Sequence, residues 1–322
     1  MPHILVAGKL HPTGVALLKS TTQKGFTYDY IEEISEPSYA PLIAKADALV
    51  IRTQPLSAAT VALADRLKVV SRHGVGYDSV DVAALNARGI ALTIVGDVNS
   101  VSVAEHAMMQ ILASAKRVLA ADHSARGGEW GWRNRLEQRE ISGRNLLILG
   151  YGRIGRHLAR MAAGFQMQVR AYDPYLLAKG WPDGPVFPVA TLAEGLAWAD
   201  CISVHIPKGD KPLIGAAEIA AMKPGMIIAN TARGGIVAEE PLRAALASGH
   251  VFGAGIDVFD VEPPVDGGPF AAQDNAILSP HIAGLTAECA ERMAISSVQN
   301  VLDYFDHKID PGLVVNSPTT LA

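Results

Sequence analysis

The loop Gly150-Tyr151-Gly152-Arg153-Ile154-Gly155 follows the apolar run Leu146-Leu147-Ile148-Leu149 and opens the helical stretch 157–161. Gly150 permits a tight turn. Gly152 lets the backbone approach an anion where any Cβ would intrude, and Gly155 lets helix and strand pack closely. A helix N-terminus there presents unpaired N–H groups and a partial positive charge. Between strand and helix, this spacing is a dinucleotide fingerprint. The next apolar run, 168–172, ends at Asp173, eighteen residues past Gly155. A carboxylate at that place accepts from ribose hydroxyls and repels a 2′-phosphate. Pro174 supplies no cation to offset the repulsion, so NAD is expected rather than NADP.

Three more polar groups stand where apolar runs end. Ile228-Ala229-Asn230-Thr231-Ala232-Arg233 brings a guanidinium to a strand C-terminus, where ligands of parallel sheets bind. Its planar fork suits a carboxylate, though a surface ion pair would use Arg233 equally well. Asp257-Val258-Phe259-Asp260-Val261-Glu262 ends a run in acids, and Ser279-Pro280-His281-Ile282-Ala283-Gly284 carries a histidine beside small residues. Nearer the N-terminus, Arg72-His73-Gly74-Val75-Gly76 follows another run. Its glycines let successive amides converge on an anion, with Val75 and Gly76 the expected donors. Asn99 or Ser100 can cap the helix that follows. Glu105 and His106 lack the further ligands a zinc site needs and read as structural, so no metal is expected.

Strands and helices in alternation must position these groups. Apolar runs at 4–7, 48–51, 68–71 and 91–95 alternate with amphipathic stretches at 12–20, 37–46, 58–64 and 80–88. A long helix is expected over 101–126. A second series follows, with strands at 145–149, 168–172, 201–205, 226–230, 253–258 and 276–279. Its helices are expected at 153–163, 192–197, 216–222, 239–248 and 288–305. Such alternation predicts two parallel sheets with helices on both faces, an α/β fold. Periodicity leaves open which sheet the final helix covers.

The chain has 322 residues, 49% hydrophobic and 19% charged, enough for two domains and incompatible with intrinsic disorder. Its 28 Lys and Arg against 32 Asp and Glu give a net charge of −4, with no footprint for nucleic acid or an anionic membrane. Two cysteines exclude a disulfide framework and point to a reducing compartment. No secretory signal or spanning segment is visible, so a cytoplasmic location is expected.

On the glycine loop, Asn230-Thr231-Ala232-Arg233-Gly234, Asp257-Val258-Phe259 with Glu262-Pro263, and Ser279–Gly284, the chain resembles the D-isomer-specific 2-hydroxyacid dehydrogenases over nearly its whole length. The resemblance implies two doubly wound domains. A flavodoxin-like substrate domain comprises residues 1–98 and 287–322, and a Rossmann NAD-binding domain comprises 99–286. It implies reversible hydride transfer between NAD(H) and a small anionic 2-hydroxy or 2-keto acid. Arg233 would bind the substrate carboxylate and carbonyl, His281 would act as acid and base, and Glu262 would pair with His281. The physics agrees, because imidazole titrates near neutrality and a nearby carboxylate favours the proton-donating imidazolium.

The same resemblance places Asp257 near the nicotinamide carboxamide, and His205, Ile206, Pro207, Thr231, Ala232, Ala283 and Gly284 along the cofactor. His205 is expected to pack near the adenine without chemistry. Val75 and Gly76 would hold the substrate carboxylate, and Arg52 a phosphate or other distal anion. Residues 127–132 resemble a dimerisation arm, so a homodimer is expected. Phosphoglycerate, hydroxypyruvate and glyoxylate are the expected substrates. Sulfolactate and lactate stay open, as does an NAD-sensing, corepressor-like binding protein. Relatives acting on formate usually carry Gln where Glu262 stands, which disfavours formate. Ala238 replaces an Asp common in the family and touches no catalytic role.

Overall fold

The computed structural model describes residues 1–316 and divides them into two compact units. One comprises Met1–Asn99 with the segment from Leu285 onward, and the other Ser100–Gly284. Among the described residues, no helix is long and apolar enough to cross a membrane.

The first unit holds five parallel strands, β1 (His3–Ala7), β2 (Thr27–Ile31), β3 (Ala48–Ile51), β4 (Val69–Arg72) and β5 (Ala91–Thr93), in the order β2-β1-β3-β4-β5. This is the flavodoxin-like order of a doubly wound sheet. Successive side chains alternate between faces, so Leu5 and Ala7 enter one apolar core while Ile4 and Val6 enter another. A strand buried on both faces must be apolar throughout, which is why β1 and β3 read as unbroken runs. β2 escaped sequence reading because it is an edge strand with half-exposed Tyr28, Asp29 and Tyr30. The final helix, Ala287–Phe305, covers a face of this sheet, where Ala294, Val298 and Val301 pack with Ile4, Val6 and Val50. It lies close to the helix Pro12–Ser20, since a Cβ on Gly14 would fall 2.6 Å from the Ala294 methyl.

The second unit holds β6 (Asn145–Leu149), β7 (Gln168–Tyr172), β8 (Phe187–Pro188), β9 (Cys201–Val204), β10 (Met226–Asn230), β11 (Val251–Ile256) and β12 (Ala276–Leu278). Their order is β12-β11-β10-β9-β6-β7-β8, all parallel. Apart from the added edge strand β12, it is the Rossmann order, with the strand sequence reversing between β6 and β9. Leu147 and Leu149 fill the core on one face, Leu146 and Ile148 that on the other. The two-residue strand β8 is too short to give a pattern.

The stretch expected as a helix over 37–46 is a single α-turn, Glu36–Tyr39, followed by the 3-10 segment Ala40–Lys45, and the long helix needs correction as well. The long helix is two helices, Ser100–Ala115 and Val118–Arg126, broken at Arg117, whose φ of 50° is left-handed. The cause lies outside the segment. The Arg117 guanidinium sits 4.1 Å from the centre of the Phe252 ring, which Arg139 also contacts at 3.8 Å. The Arg117 contact with the buried Phe252 ring works against a backbone cost of about 1–2 kcal/mol.

Candidate active site

The glycine loop joins β6 to the helix Arg153–Gly164. Gly150 has a φ of 94°, and a Cβ there would lie 2.6 Å from the His205 carbonyl oxygen. A Cβ on Gly155 would lie 2.3 Å from the Gly150 oxygen, so helix and loop meet only because both are glycine. A Cβ on Gly152 would meet nothing within 4 Å. Its bareness therefore leaves the helix N-terminus, which carries no side-chain cap, open to an anion. Tyr151 is buried and stacks on Trp181 with ring centroids 5.3 Å apart. Asp173 ends β7, accepting from the Tyr151 amide at 2.9 Å and from the Leu176 amide at 3.1 Å. It thus ties the loop to the helix Pro174–Lys179 that it caps.

His205, Ile206 and Pro207 leave the C-terminal end of β9 beside Gly150. The His205 Nε2 lies 2.8 Å from Ser203 Oγ, while Nδ1 is buried without a partner. Burial pulls this imidazole down to about 3, so it is neutral. At the end of β10, the buried Thr231 Oγ1 also lacks a partner. An orphaned His205 atom beside the glycine loop, with an uncapped helix N-terminus and a second orphaned atom on Thr231 after β10, fits a dinucleotide, since buried polar groups otherwise find partners.

Arg233 follows β10 in a turn stapled by Asn230, whose amide nitrogen donates to the Arg233 carbonyl at 3.0 Å and whose oxygen accepts from Ala232 at 3.1 Å. One guanidinium nitrogen donates to the Ala232 carbonyl at 2.7 Å. The turn presses on the loop after β11, because a Cβ on Gly234 would lie 1.9 Å from the Phe259 oxygen. In that loop one Glu262 oxygen accepts from the Phe259 amide at 3.0 Å, and the other lies 2.7 Å from His281 Nδ1. The carboxylate thus places the proton on Nδ1 and leaves Nε2 for chemistry. The His281 side chain is 48% exposed, and its φ of 52° is left-handed. Asp257 is fully buried, and its oxygens accept from the Ile282 and Ala283 amides, both at 2.9 Å. Gly284 closes this segment. The glycine loop, Arg233, Glu262 and His281 all stand at C-terminal ends of strands of one sheet.

Arg52, Val75 and Gly76 belong to the first unit. Arg52 follows β3, with Nη1 donating to the Lys9 carbonyl at 3.3 Å. Val75 and Gly76 lie in the turn after β4, where Arg72 donates to the His73 carbonyl at 2.8 Å. Two polar residues of this edge went unread in the sequence. Gln54 and His73 are buried, and Gln54 Oε1 and His73 Nε2 have no partner. Burial, with Arg52 and Arg72 nearby, pulls the His73 imidazole down to about 4. The available signal was a polar residue set just past an apolar run.

Residues 108–283 match the family model described as D-isomer specific 2-hydroxyacid dehydrogenase, NAD binding domain. The chain is 38% identical over 308 residues to the D-3-phosphoglycerate dehydrogenase of Mycobacterium bovis, covering 94% of this chain and 56% of that protein. It therefore spans about half the length of the phosphoglycerate dehydrogenases it matches. It is 36% identical over 275 residues to the hydroxypyruvate reductase of Thermotoga maritima, covering 84% of this chain and 88% of that one. The TT0316 protein of Thermus thermophilus superposes with a TM-score of 0.88 at 32% identity, covering 97% and 99% of the two chains. A matched NAD-binding domain, two relatives above one-third identity and a shared fold along the full chain lead to one assignment: the chain belongs to the D-isomer specific 2-hydroxyacid dehydrogenase family.

Proposed function

We propose that the protein is an NAD-dependent dehydrogenase of D-2-hydroxy acids, with 3-phosphoglycerate or hydroxypyruvate and glyoxylate as its substrate class. The observation that carries this reading is the 2.7 Å pair between Glu262 and His281, in a unit whose glycine loop is open to a dinucleotide. Gly150–Gly155 hold the diphosphate, Asp173 accepts from the adenosine ribose, and His205–Pro207, Thr231, Ala232, Asp257, Ala283 and Gly284 line the remainder of the cofactor. Bound NAD supplies the hydride acceptor, or NADH the donor.

His281 takes the hydroxyl proton of the alcohol at Nε2 and returns it to the carbonyl in the reverse direction. Glu262 stabilises the imidazolium in between. Arg233 orients the carboxylate and polarises the carbonyl. In the first unit, read as the substrate domain, Val75 and Gly76 amides receive the carboxylate and Arg52 a distal anion. Arg52, read as the partner of a distal anion, favours an acid with a polar or charged tail over an apolar one. The arm 127–132, with Trp130 70% exposed, supports a homodimer, and a cytoplasmic location goes with the metabolic reading.

The test is NADH absorbance decay with hydroxypyruvate, glyoxylate, 3-phosphohydroxypyruvate, sulfopyruvate and pyruvate. Turnover is expected, fastest with a polar-tailed acid. No decay with any 2-keto acid contradicts the reading and favours an NAD-sensing binding protein.

A further inference from the structure

The reaction assigned above does not use His106, yet its imidazole is tied to the catalytic loop. His106 lies on the helix Ser100–Ala115 with its side chain 15% exposed. Its Nε2 is 3.0 Å from Ser279 Oγ and 3.7 Å from Asp257 Oδ1. Ser279 in turn donates its only hydroxyl proton to Asp257 Oδ1 at 2.6 Å. That direction fixes the next one. Ser279 Oγ can only accept from His106, so His106 carries its proton on Nε2.

Asp257 is the hub. Oδ1 accepts from Ser279 Oγ and the Ile282 amide, Oδ2 from the Ala283 amide, and its backbone carbonyl from the His281 amide at 2.8 Å. The residue therefore grips the chain on both sides of His281. That grip holds His281 in the left-handed region, where a residue with a Cβ costs about 1–3 kcal/mol and persists only when its surroundings over-determine it. The outward group is equally fixed, since Glu262 holds Nδ1 from the other side. Titratable side chains hydrogen-bonded to the loop include those of His106, Asp257 and Glu262.

We infer that His106 is a positioning residue for His281, acting through Ser279 and Asp257 to hold the 279–283 loop in the conformation that presents the imidazole. The inference rests on the dehydrogenase reading for its kinetic test but not for its spectroscopic one. His106 makes no claim on substrate or hydride. It supplies the hydrogen bond that orients Ser279, without which the Asp257 carboxylate loses one of its three side-chain-directed donors. Loosening by even 1 Å at the acid/base would cost up to about a hundredfold in rate.

The test compares His106→Leu, His106→Gln and Ser279→Ala in the full chain. Gln can place an amide N–H near the Nε2 position, and Leu cannot. With hydroxypyruvate and NADH, the expected kcat falls about tenfold or more in His106→Leu and Ser279→Ala. The KM for NADH changes less than about twofold, and His106→Gln recovers most of the loss. Independently of turnover, the downfield proton resonance of His281 Nδ1, hydrogen-bonded to Glu262, should shift or broaden in the Leu and Ala variants and persist in Gln. An unchanged kcat and an unchanged resonance in Leu would overturn the inference, as would equal losses in Leu and Gln. If wild type turns over no keto acid, the dehydrogenase reading fails while the resonance still decides the positioning role. Ser279→Ala removes a single oxygen, so it keeps the test decisive should His106→Leu fail to fold.

Discussion

Asp173 has two duties, and they separate by measurement. Its carboxylate caps the helix Pro174–Lys179 and holds the Tyr151 amide, and its charge disfavours a 2′-phosphate. Asp173→Ala is expected to narrow the NAD-over-NADP preference in kcat/KM by roughly tenfold, equivalent to about 1.4 kcal/mol. It should also lower unfolding stability by about 1 kcal/mol through the lost cap. An unaltered coenzyme preference would show that another residue sets it. Arg233, Glu262 and His281 stood out in the sequence as polar residues that follow apolar runs, and the structure places them in the segments after β10, β11 and β12. His106, Gln54 and His73 were not legible in that way. His106 meets Ser279 across 173 positions, and nothing in local sequence says that a histidine on a helix will face a serine after a strand. Its role follows only from hydrogen-bond direction, which requires coordinates.

Strands rich in apolar residues were legible as runs, the edge strands β5 and β12 included, whereas the half-exposed β2 and the two-residue β8 were not. The C-terminal ends of β4 and β9 each release a histidine held neutral by burial, His73 at about 4 and His205 at about 3, both from an ordinary 6.5. The sign follows from proton counting. Below pH 6.5 the unfolded chain protonates both rings while the folded one does not. Their contribution is complete above 6.5 and is lost as pH falls toward 4 and then 3. The thermal midpoint should therefore drop between about pH 6.5 and 4.5, with a shallower drop in His73→Gln. A midpoint flat across that interval in wild type would contradict it. The helix break at Arg117 belongs to this scale as well. Propensity favours continuity through 101–126, and tertiary stacking on Phe252 overrides it.

At the scale of the molecule, the chain leaves its first unit after Asn99 and returns to it at Leu285. The α/β class and the parallel sheets follow from alternation alone. The destination of the helix Ala287–Phe305 does not, because an apolar face specifies burial but not the sheet that provides it. The two strand orders explain why candidate site residues far apart in sequence collect at strand C-termini, the site of ligands in doubly wound sheets. Within the second unit this brings an open anion cradle, a guanidinium and a carboxylate-paired imidazole to one sheet edge. The account stands on that imidazole moving the proton. Steady-state reduction of hydroxypyruvate by wild type and His281→Ala tests it most directly. The predicted result is a kcat lowered by about 10² to 10⁴ across neutral pH, the range for a positioned acid/base. A variant whose kcat matches wild type would contradict it.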